Sequence, residues 1–266
     1  MSLEVQRVFG VGAWRTTSSV SRRRFGVPPG GPWNREAAGL ALALVGKKEV
    51  EPVFELLQGS ATILAKAAGS LAVIGQSGTV TVRGQSYLLS QRISVEAGDV
   101  IHVQAHYAYL AYANLDLPQV RIDFEPPSLE ELRFIRSVEG EIPQVLIVDP
   151  ASNRAGTRLN GMPPAHQPEQ PSEPCCVGTI QQTPSGQLIV IGPDGPTIGG
   201  YPKLGSIIEA DLDLIPSLNR GQQISLKPIA WEQAVQLSID REARIISRLS
   251  NLSVIQVLPA IPVQIL

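Results

Sequence analysis

The sequence contains few of the residues that form disulfides or bind metal ions. Among its 266 residues there are 2 cysteines, 3 histidines and 2 methionines. Cys175 and Cys176 are chain neighbours, and Cα atoms joined by a trans peptide lie about 3.8 Å apart, below the usual disulfide separation. We therefore expect no structural disulfide. His102 and His106 lie on one face of a predicted strand, where four residues span about 13 Å, too far to share one metal ion.

Charged residues and long apolar runs are also scarce. Charged residues make up 17% of the chain and the formal net charge is −2, which provides no basic field for nucleic acid. No run approaches the roughly 20 apolar residues of a transmembrane helix. The N-terminal residues lack the basic start and continuous apolar stretch of a signal peptide. We therefore expect a cytoplasmic protein that binds neither nucleic acid nor a membrane.

Glycine and proline, in contrast, are numerous and punctuate the chain. The 24 glycines and 22 prolines fall at the edges of apolar runs, where turns between short strands would lie. Residues 70–113 alternate β-branched and apolar runs with glycine-containing turns, which predicts successive strands. Asn34 can cap a helix over residues 35–45 that ends at Gly46, and residues 231–249 carry a helical apolar stripe. These patterns predict a mainly β protein with a few helices.

The order of these segments predicts two strand-rich lobes. Residues 1–117 form the first lobe, and residues 144–266 form the second, which ends in the terminal helix. Between them, residues 118–143 are rich in proline and carboxylates, which is typical of a connector. Within it, Ser128 and Glu131 have the spacing of a capping box, which predicts one short helix.

Local signatures of nucleotide binding and catalysis do not match this chain. Gly46-Lys47 lacks the glycine that a phosphate-binding loop carries five positions earlier. Gly10 and Gly12 lack the third glycine of a dinucleotide-binding fingerprint, because Arg15 occupies that place. No Ser, His and Asp set can be assembled from local sequence, although such triads converge in space.

One polar cluster lies between Ile191 and Lys203, in the stretch IGPDGPTIGGYPK. Glycines permit positive φ and let backbone N–H groups converge on an anion or a carbonyl oxygen. Thr197, Tyr201 and Lys203 add hydroxyl and ammonium donors, which together suit a binding site. The alternative interpretation is a pair of tight turns that link strands.

Two further clusters have the composition of anion sites. Asn153, Arg154 and Arg158 lie in PASNRAGTRLNG, and guanidinium groups suit carboxylate or phosphate. The alternative for this segment is a solvated loop. The stretch VPPGGPWN, residues 27–34, leads directly into the first predicted helix, whose N-terminus can present backbone donors to an anion.

Taken in order, the three clusters resemble the family of allophanate hydrolase subunit 2 and the C subunit of 5-oxoprolinase. GVPPGGPWNREAAGLALALVG followed by FELLQGSATI is similar to the opening of these proteins. SNRAGTRLNG resembles their arginine loop, and GTIQQTPSGQLIVIGPDGPTIGGYPKLGSIIEADL resembles their signature segment. The likeness covers most of residues 1–230, with the connector as a gap.

This resemblance implies a fold, an activity and a site. It implies two cyclophilin-like β-barrel lobes, a subunit 1-type partner protein and an ATP-dependent 5-oxoprolinase that opens a small lactam or amide. ATP would be shared with the partner subunit. By the match, the catalytic residues are Lys203 and Arg154. The substrate-binding residues are Arg158, Asn153, Thr197, Gly199, Gly200 and Tyr201.

The chain also departs from the family pattern. GAWRTTSSVSRRRF stands where family members carry a Gln-Asp and Gly-Arg stretch, and Trp33-Asn34 replaces their Met-Asp. Asn153 replaces an aspartate, and an asparagine cannot act as a base. A noncatalytic binding or regulatory relative is therefore an alternative. A biotin-dependent carboxyltransferase subunit is a further alternative, and it requires a carrier elsewhere because the chain has no Met-Lys-Met biotin attachment motif.

Overall fold

The structure is a computed structural model that describes residues 2–48, 50–124, 129–138, 141–164 and 171–257. Three α-helices lie in the described residues: α1 (Arg35–Leu44), α2 (Glu209–Leu212) and α3 (Trp231–Val257). The strands, in chain order, are β1 (Leu3–Arg15), β2 (Val53–Ala65), β3 (Gly69–Val82), β4 (Gln85–Leu88), β5 (Gln91–Val95), β6 (Val100–Ala113), β7 (Val120–Arg121), β8 (Glu131–Arg136), β9 (Leu146–Val148), β10 (Gly156–Asn160), β11 (Glu173–Pro174), β12 (Thr179–Gln182), β13 (Leu188–Ile191), β14 (Ile198–Gly199), β15 (Lys203–Ile207) and β16 (Gln223–Pro228). The prediction of a mainly β protein with a few helices is confirmed.

The chain forms two compact units. Unit 1 comprises the described residues of 1–16, 36–125 and 242–266, and unit 2 comprises those of 17–35 and 126–241. The predicted lobes differ from these units at both ends of the chain. The segment 17–35 belongs to unit 2 and the second half of the terminal helix belongs to unit 1, because the strands and helices of each unit are assembled from distant parts of the sequence.

Unit 1 is built on one antiparallel sheet with the strand order β1-β2-β6-β3-β5-β7, and β4 pairs with β3. Alternate side chains of the long strands fill its core, including Leu56, Ile63 and Leu71, which are fully buried. The predicted helix over 35–45 is confirmed as α1. It ends as expected at Gly46, which adopts a φ of 72°, a conformation that glycine accepts without strain.

Unit 2 contains a closed barrel with the strand order β10-β13-β12-β15-β8-β16-β9, which agrees with the expected barrel fold. Its pairs are antiparallel except that β16 runs parallel to β8. Strands β11 and β14 form a separate two-stranded ribbon. The core side chains come from alternate strand positions and include Leu132, Phe134, Leu159, Ile180 and Leu188, none of which is exposed.

The connector prediction is wrong in one respect. Its short helix was expected from the capping box of Ser128 and Glu131, and Ser128 lies outside the described residues. Glu131–Arg136 form the barrel strand β8 instead, paired with β15 and β16. Leu132 and Phe134 alternate into the barrel core, and pairing on both sides outweighs a local helix-start signal.

In the described part of the chain, no helix is both long and apolar enough to cross a membrane.

Candidate functional site

The arginine loop and the glycine-rich loop lie against each other in unit 2. Gly156 on β10 pairs with Ile191 on β13, so the turn before β10 meets the turn after β13. The N–H of Gly192 donates to the Ala155 carbonyl at 3.0 Å, and the N–H of Asp194 donates to the Arg154 carbonyl at 3.1 Å. The two clusters that the sequence separates by about forty positions are therefore one local structure.

Glycine is required where the two loops touch. A Cβ atom on Gly192 would lie 2.2 Å from the Arg154 carbonyl oxygen, and one on Gly195 would lie 2.5 Å from the Ala155 carbonyl oxygen. Both distances are far inside van der Waals contact with backbone atoms that cannot move aside. These two glycines are therefore explained by close backbone approach rather than by ligand binding.

The guanidinium of Arg154 ties all three sequence clusters together. Arg154 is 4% exposed, and its Nε and Nη2 donate to the two carboxylate oxygens of Asp194 at 2.8 and 2.9 Å. Nη2 also donates to the Gly31 carbonyl at 2.8 Å, and the guanidinium carbon lies 5.9 Å from the Trp33 ring centroid. The arginine loop, the glycine-rich loop and the 27–34 turn thus converge on one buried side chain.

The glycine-rich loop uses several of its own donors internally. The N–H groups of Gly192 and Asp194 bind the arginine loop, and the N–H of Gly195 donates to the Gly192 carbonyl at 3.0 Å. This first half is a tight turn, as the alternative interpretation predicted. The charge of Arg154 is compensated by Asp194, so Arg154 holds the turn in place through an ion pair.

A second cluster surrounds Lys203 on β15. Its Nζ lies 2.6 Å from Oε2 of Glu173, which stands on β11 opposite Gly199 of β14. Gln181 of β12 is the register partner of Lys203, and its Nε2 donates to Cys175 Sγ at 3.4 Å. The ribbon of β11 and β14 therefore brings a carboxylate and a thiol to the strand that carries Lys203.

Gly199 also permits a close approach within this cluster. A Cβ atom at this position would lie 2.5 Å from Gln181 Nε2 and 3.3 Å from Cys175 Sγ. The main chain of Thr197 contributes too, because its carbonyl accepts the N–H of Cys175 at 2.8 Å. The second half of the glycine-rich loop is thus packed around Cys175.

The two cysteines have different environments. Cys175 is buried and Cys176 is exposed. Burial raises the pKa of the Cys175 thiol, while the positive charge of Lys203 acts in the opposite direction. Arg23 donates to the Cys175 carbonyl and lies 3.5 Å from Cys176 Sγ. Cys175 is therefore a protonated packing group near neutral pH.

Arg158 lies in the same cross-strand row as Lys203, but its guanidinium group contacts a different residue. Arg158, Ile189, Gln181 and Lys203 are successive register partners across β10, β13, β12 and β15, with a register shift next to Gln181 where β12 meets β15. Three strand spacings separate the Cα atoms of Arg158 and Lys203 by about 14 Å. Arg158 Nη1 donates to Gln187 Oε1 at 2.7 Å, whereas Lys203 pairs with Glu173, so the two cations have different partners.

Gln187 connects Arg158 to an acidic group. Its Nε2 donates to Asn160 Oδ1 at 2.9 Å and to Asp149 Oδ2 at 3.3 Å. The hydrogen bond from the Asn160 side chain, followed by that from the Ala151 N–H, lowers the pKa of Asp149. These contacts anchor the arginine loop at its second end.

The remaining predicted residues have more local environments. Asn153 Oδ1 accepts the N–H of Ala155 at 2.8 Å, so its side chain shapes the arginine loop. Tyr201 is exposed, and Gly200 is half-buried beside it. Sequence reasoning missed Glu173, Gln181 and Arg23, whose only sequence signals are the GTIQ motif and a run of three arginines.

The last part of the signature segment, ADL, provides ion pairs. Asp211 is 1% exposed and accepts the backbone N–H of Arg133 at 2.8 Å together with Nε at 3.1 Å and Nη2 at 2.5 Å. These side-chain hydrogen bonds raise the pKa of Arg133. Asp213 pairs with Arg241 and accepts the N–H of Arg35 at 3.0 Å. Both aspartates hold segments of unit 2 together.

These contacts determine which ligands the described side chains fit. Within the described ranges, no group of histidine, cysteine and carboxylate side chains is arranged to hold a metal ion. Arg154 and Lys203 each have a carboxylate partner, and three N–H groups of the glycine turn are used internally. These residues alone therefore do not form a cradle for the phosphates of ATP.

Comparisons with known proteins agree with this fold and these motifs. The chain matches the family described as carboxyltransferase domain, subdomain A and B, over residues 25–120 and 137–228. It is 35% identical over 88 residues to the C subunit of 5-oxoprolinase from Haemophilus influenzae, covering 32% of this chain and 28% of that protein. For the Escherichia coli protein of the same name the identity is 34% over 93 residues, covering 34% and 30%. The matches thus span less than a third of these curated relatives.

Solved structures resemble a larger part of the chain. Urea amidolyase of K. lactis has a TM-score of 0.77 at 20% identity and covers 92% of this chain and 20% of that one. Urea carboxylase of Kluyveromyces lactis has a TM-score of 0.74 at 21% identity, covering 92% and 29%. At this identity the structures establish the fold. Since the family model spans more than half of the chain, the protein belongs to the carboxyltransferase domain, subdomain A and B, family.

Proposed function

We propose that this chain is a subunit of an ATP-dependent amide hydrolase of the 5-oxoprolinase type, acting in the cytoplasm with a subunit 1-type partner on a small amide or lactam. Two curated relatives, both named as the C subunit of 5-oxoprolinase, match about a third of the chain. The observation that carries the proposal is the convergence of the three family-like clusters on Arg154. Binding sites are built from a few polar groups that converge from different parts of the chain, and these three segments supply such groups.

In this proposal Lys203 is the catalytic cation and Arg154 is a positioning residue. The carboxylate that pairs with Lys203, Glu173, is 65% exposed, and an exposed ion pair is weak. A substrate carboxylate or a developing oxyanion can therefore replace Glu173 at the Lys203 ammonium. Arg154 is buried and bidentate, so it keeps the glycine-rich loop in shape instead.

The binding of ATP is assigned mainly to the partner subunit. ATP would supply a phosphoryl group to the amide oxygen, which would make the carbonyl carbon electrophilic enough for water to attack and for the C–N bond to break. The compensated charges of Arg154 and Lys203 argue against a complete phosphate site made by this chain alone. The substrate-facing residues proposed here are Lys203, Arg158, Asn153, Thr197, Gly199, Gly200 and Tyr201.

The test is 5-oxoproline-dependent ATP hydrolysis by this chain mixed with its cognate partner. Lys203→Met should lower kcat at least about tenfold, the expected cost of one charged group that acts on the transition state. Lys227→Met is the matched control, because Lys227 lies on β16 in an exposed pair with Glu131 at 3.5 Å. Absence of substrate-dependent turnover with the cognate partner contradicts the proposal.

A noncatalytic binding or regulatory subunit is the second candidate. Two observations favour it: the cations Arg154 and Lys203 are both compensated within the chain, and asparagine occupies positions 34 and 153, where the family resemblance implies carboxylates. It predicts that Lys203→Met leaves the complex and its turnover unchanged. The third candidate, biotin-dependent carboxyl transfer, is suggested by the family description and predicts transfer only when a biotinylated carrier protein is added.

A further inference from the structure

Unit 1 contains a cavity that the proposed function does not use. Its volume is about 440 Å³, within the range of sites that hold small molecules. The cavity is lined by residues at both ends of β1, the residues that follow α1 and the C-terminal end of β6. Its lining side chains include Trp14, Val45, Lys47, Glu51, Tyr112 and Leu115. None of these residues belongs to the clusters around Arg154 and Lys203.

The aromatic part of the lining is held in place by contacts behind it. The Trp14 ring packs edge-to-face on Phe54, with 5.5 Å between the ring centroids. The Tyr112 hydroxyl donates to the Ala67 carbonyl at 2.7 Å. Trp14 and Tyr112, which both line the cavity, are thus held by contacts within unit 1, and this side of the cavity is preformed.

The loops that complete the lining are also fixed. Ser70, which is fully buried, donates its hydroxyl to the Leu115 carbonyl at 2.8 Å and accepts the N–H of Leu117 at 3.0 Å. On the other side, the N–H of Lys47 donates to the Leu42 carbonyl at 2.9 Å in the turn that ends α1. The cavity therefore needs no rearrangement of these segments to admit a ligand.

One positive and one negative group stand together at the cavity. Lys47 Nζ lies 3.1 Å from Glu51 Oε2, and the backbone N–H of Lys48 donates to Glu51 Oε1 at 3.3 Å. The hydrogen bond from Lys47 lowers the pKa of Glu51, so the carboxylate is ionised at neutral pH. Val45 and Gly46 line the cavity at the C-terminal end of α1, where the helix dipole favours a cation near Glu51.

This combination selects the chemistry of the ligand. A ligand with only a carboxylate would be attracted by Lys47 but repelled by Glu51. A ligand with only an ammonium group would be attracted by Glu51 but repelled by Lys47. A zwitterion satisfies both groups, and an apolar side chain would lie on Trp14 and Tyr112. We propose that this cavity binds a free α-amino acid with an apolar side chain.

The experiment is calorimetric titration of the full chain with L-leucine, N-acetyl-L-leucine and L-leucinamide. Leucine should bind, and each derivative should bind at least about tenfold more weakly because it lacks one of the two charges that face the Lys47–Glu51 pair. In Glu51→Gln, leucine and N-acetyl-leucine should bind equally. In Lys47→Met, leucine and leucinamide should bind equally.

Lys48→Met is the matched control, because Lys48 is the neighbouring lysine and its side chain is not part of the cavity lining. It should bind leucine like the wild type, and circular dichroism should show that every variant is folded. The proposal is overturned if leucine shows no binding at about 10 mM. It is equally overturned if the two derivatives bind as tightly as leucine, or if Lys48→Met weakens binding as much as Lys47→Met. None of these results depends on amide hydrolysis.

Discussion

Replacing Asp194 by asparagine tests the convergence of the three loops most directly. The substitution removes the negative charge that pairs with Arg154, which is 4% exposed. Removing one member of a fully buried ion pair costs about 3–5 kcal/mol. Because Asp194 itself is 36% exposed, water can reach the pair, and we expect a smaller loss of about 2 kcal/mol in the free energy of unfolding.

The complementary substitution has a different expected cost. Arg154→Met removes the charge together with its hydrogen bond to the Gly31 carbonyl, but it leaves only a partly hydrated carboxylate behind. We expect a loss of about 1–2 kcal/mol. The double variant should lose less than the sum of the two single losses, by about 1 kcal/mol, because each single change removes the same interaction.

The assay is urea denaturation followed by the fluorescence of Trp33, whose ring lies beside Arg154. Replacing Trp14 and Trp231 by phenylalanine makes Trp33 the only one of the 3 tryptophans that remains, so the signal reports on unit 2. The control is Asp240→Asn, an exposed carboxylate on α3. If Asp194→Asn destabilises no more than Asp240→Asn, or if the two losses add without coupling, the reasoning is refuted.

Three further outcomes follow from the described contacts. Asp211→Asn should cost about 2–4 kcal/mol in urea denaturation, because it weakens three hydrogen bonds from Arg133; a loss below about 0.5 kcal/mol contradicts this. Iodoacetamide at about pH 8 should label Cys176 and spare Cys175, because Cys175 is buried and the pKa of its thiol is raised. Mass spectrometry of the labelled native protein checks this, and labelling of both thiols contradicts it. Because hydrogen bonds lower the pKa of Asp149, its stabilisation is present above the unfolded pKa of about 3.9 and is lost as the pH falls through the folded pKa. Stability measured across acidic pH should therefore fall less in Asp149→Asn than in the wild type, and equal slopes would count against it.

Several features were predictable from sequence because their causes are local. As the sequence predicted, α1 begins directly after Asn34 and ends shortly before Gly46, and α3 begins at Trp231. Hairpin strands also carry their own signals, since β-branched runs alternate with turn residues. The order of the motifs was sufficient to identify the family.

In the connector, prediction from local sequence failed. A capping-box spacing predicted a helix, but Glu131–Arg136 became a barrel strand. Its partners are β15 and β16, which lie some seventy and ninety residues later. The local sequence of a strand does not show which distant strands it will pair with. The choice between helix and strand at these residues therefore depended on tertiary structure.

The candidate site around Arg154 and Lys203 likewise depended partly on sequence and partly on tertiary structure. The sequence by itself determined which segments carry guanidinium, ammonium and glycine residues, because motifs are written in the order of the chain. Only the tertiary structure decided that Arg154 turns inward to Asp194 while Lys203 reaches the exposed Glu173. The physical reason is that each ion pair joins residues from separate strands or turns, and strand pairing, rather than local sequence, sets the distance between a charge and its partner.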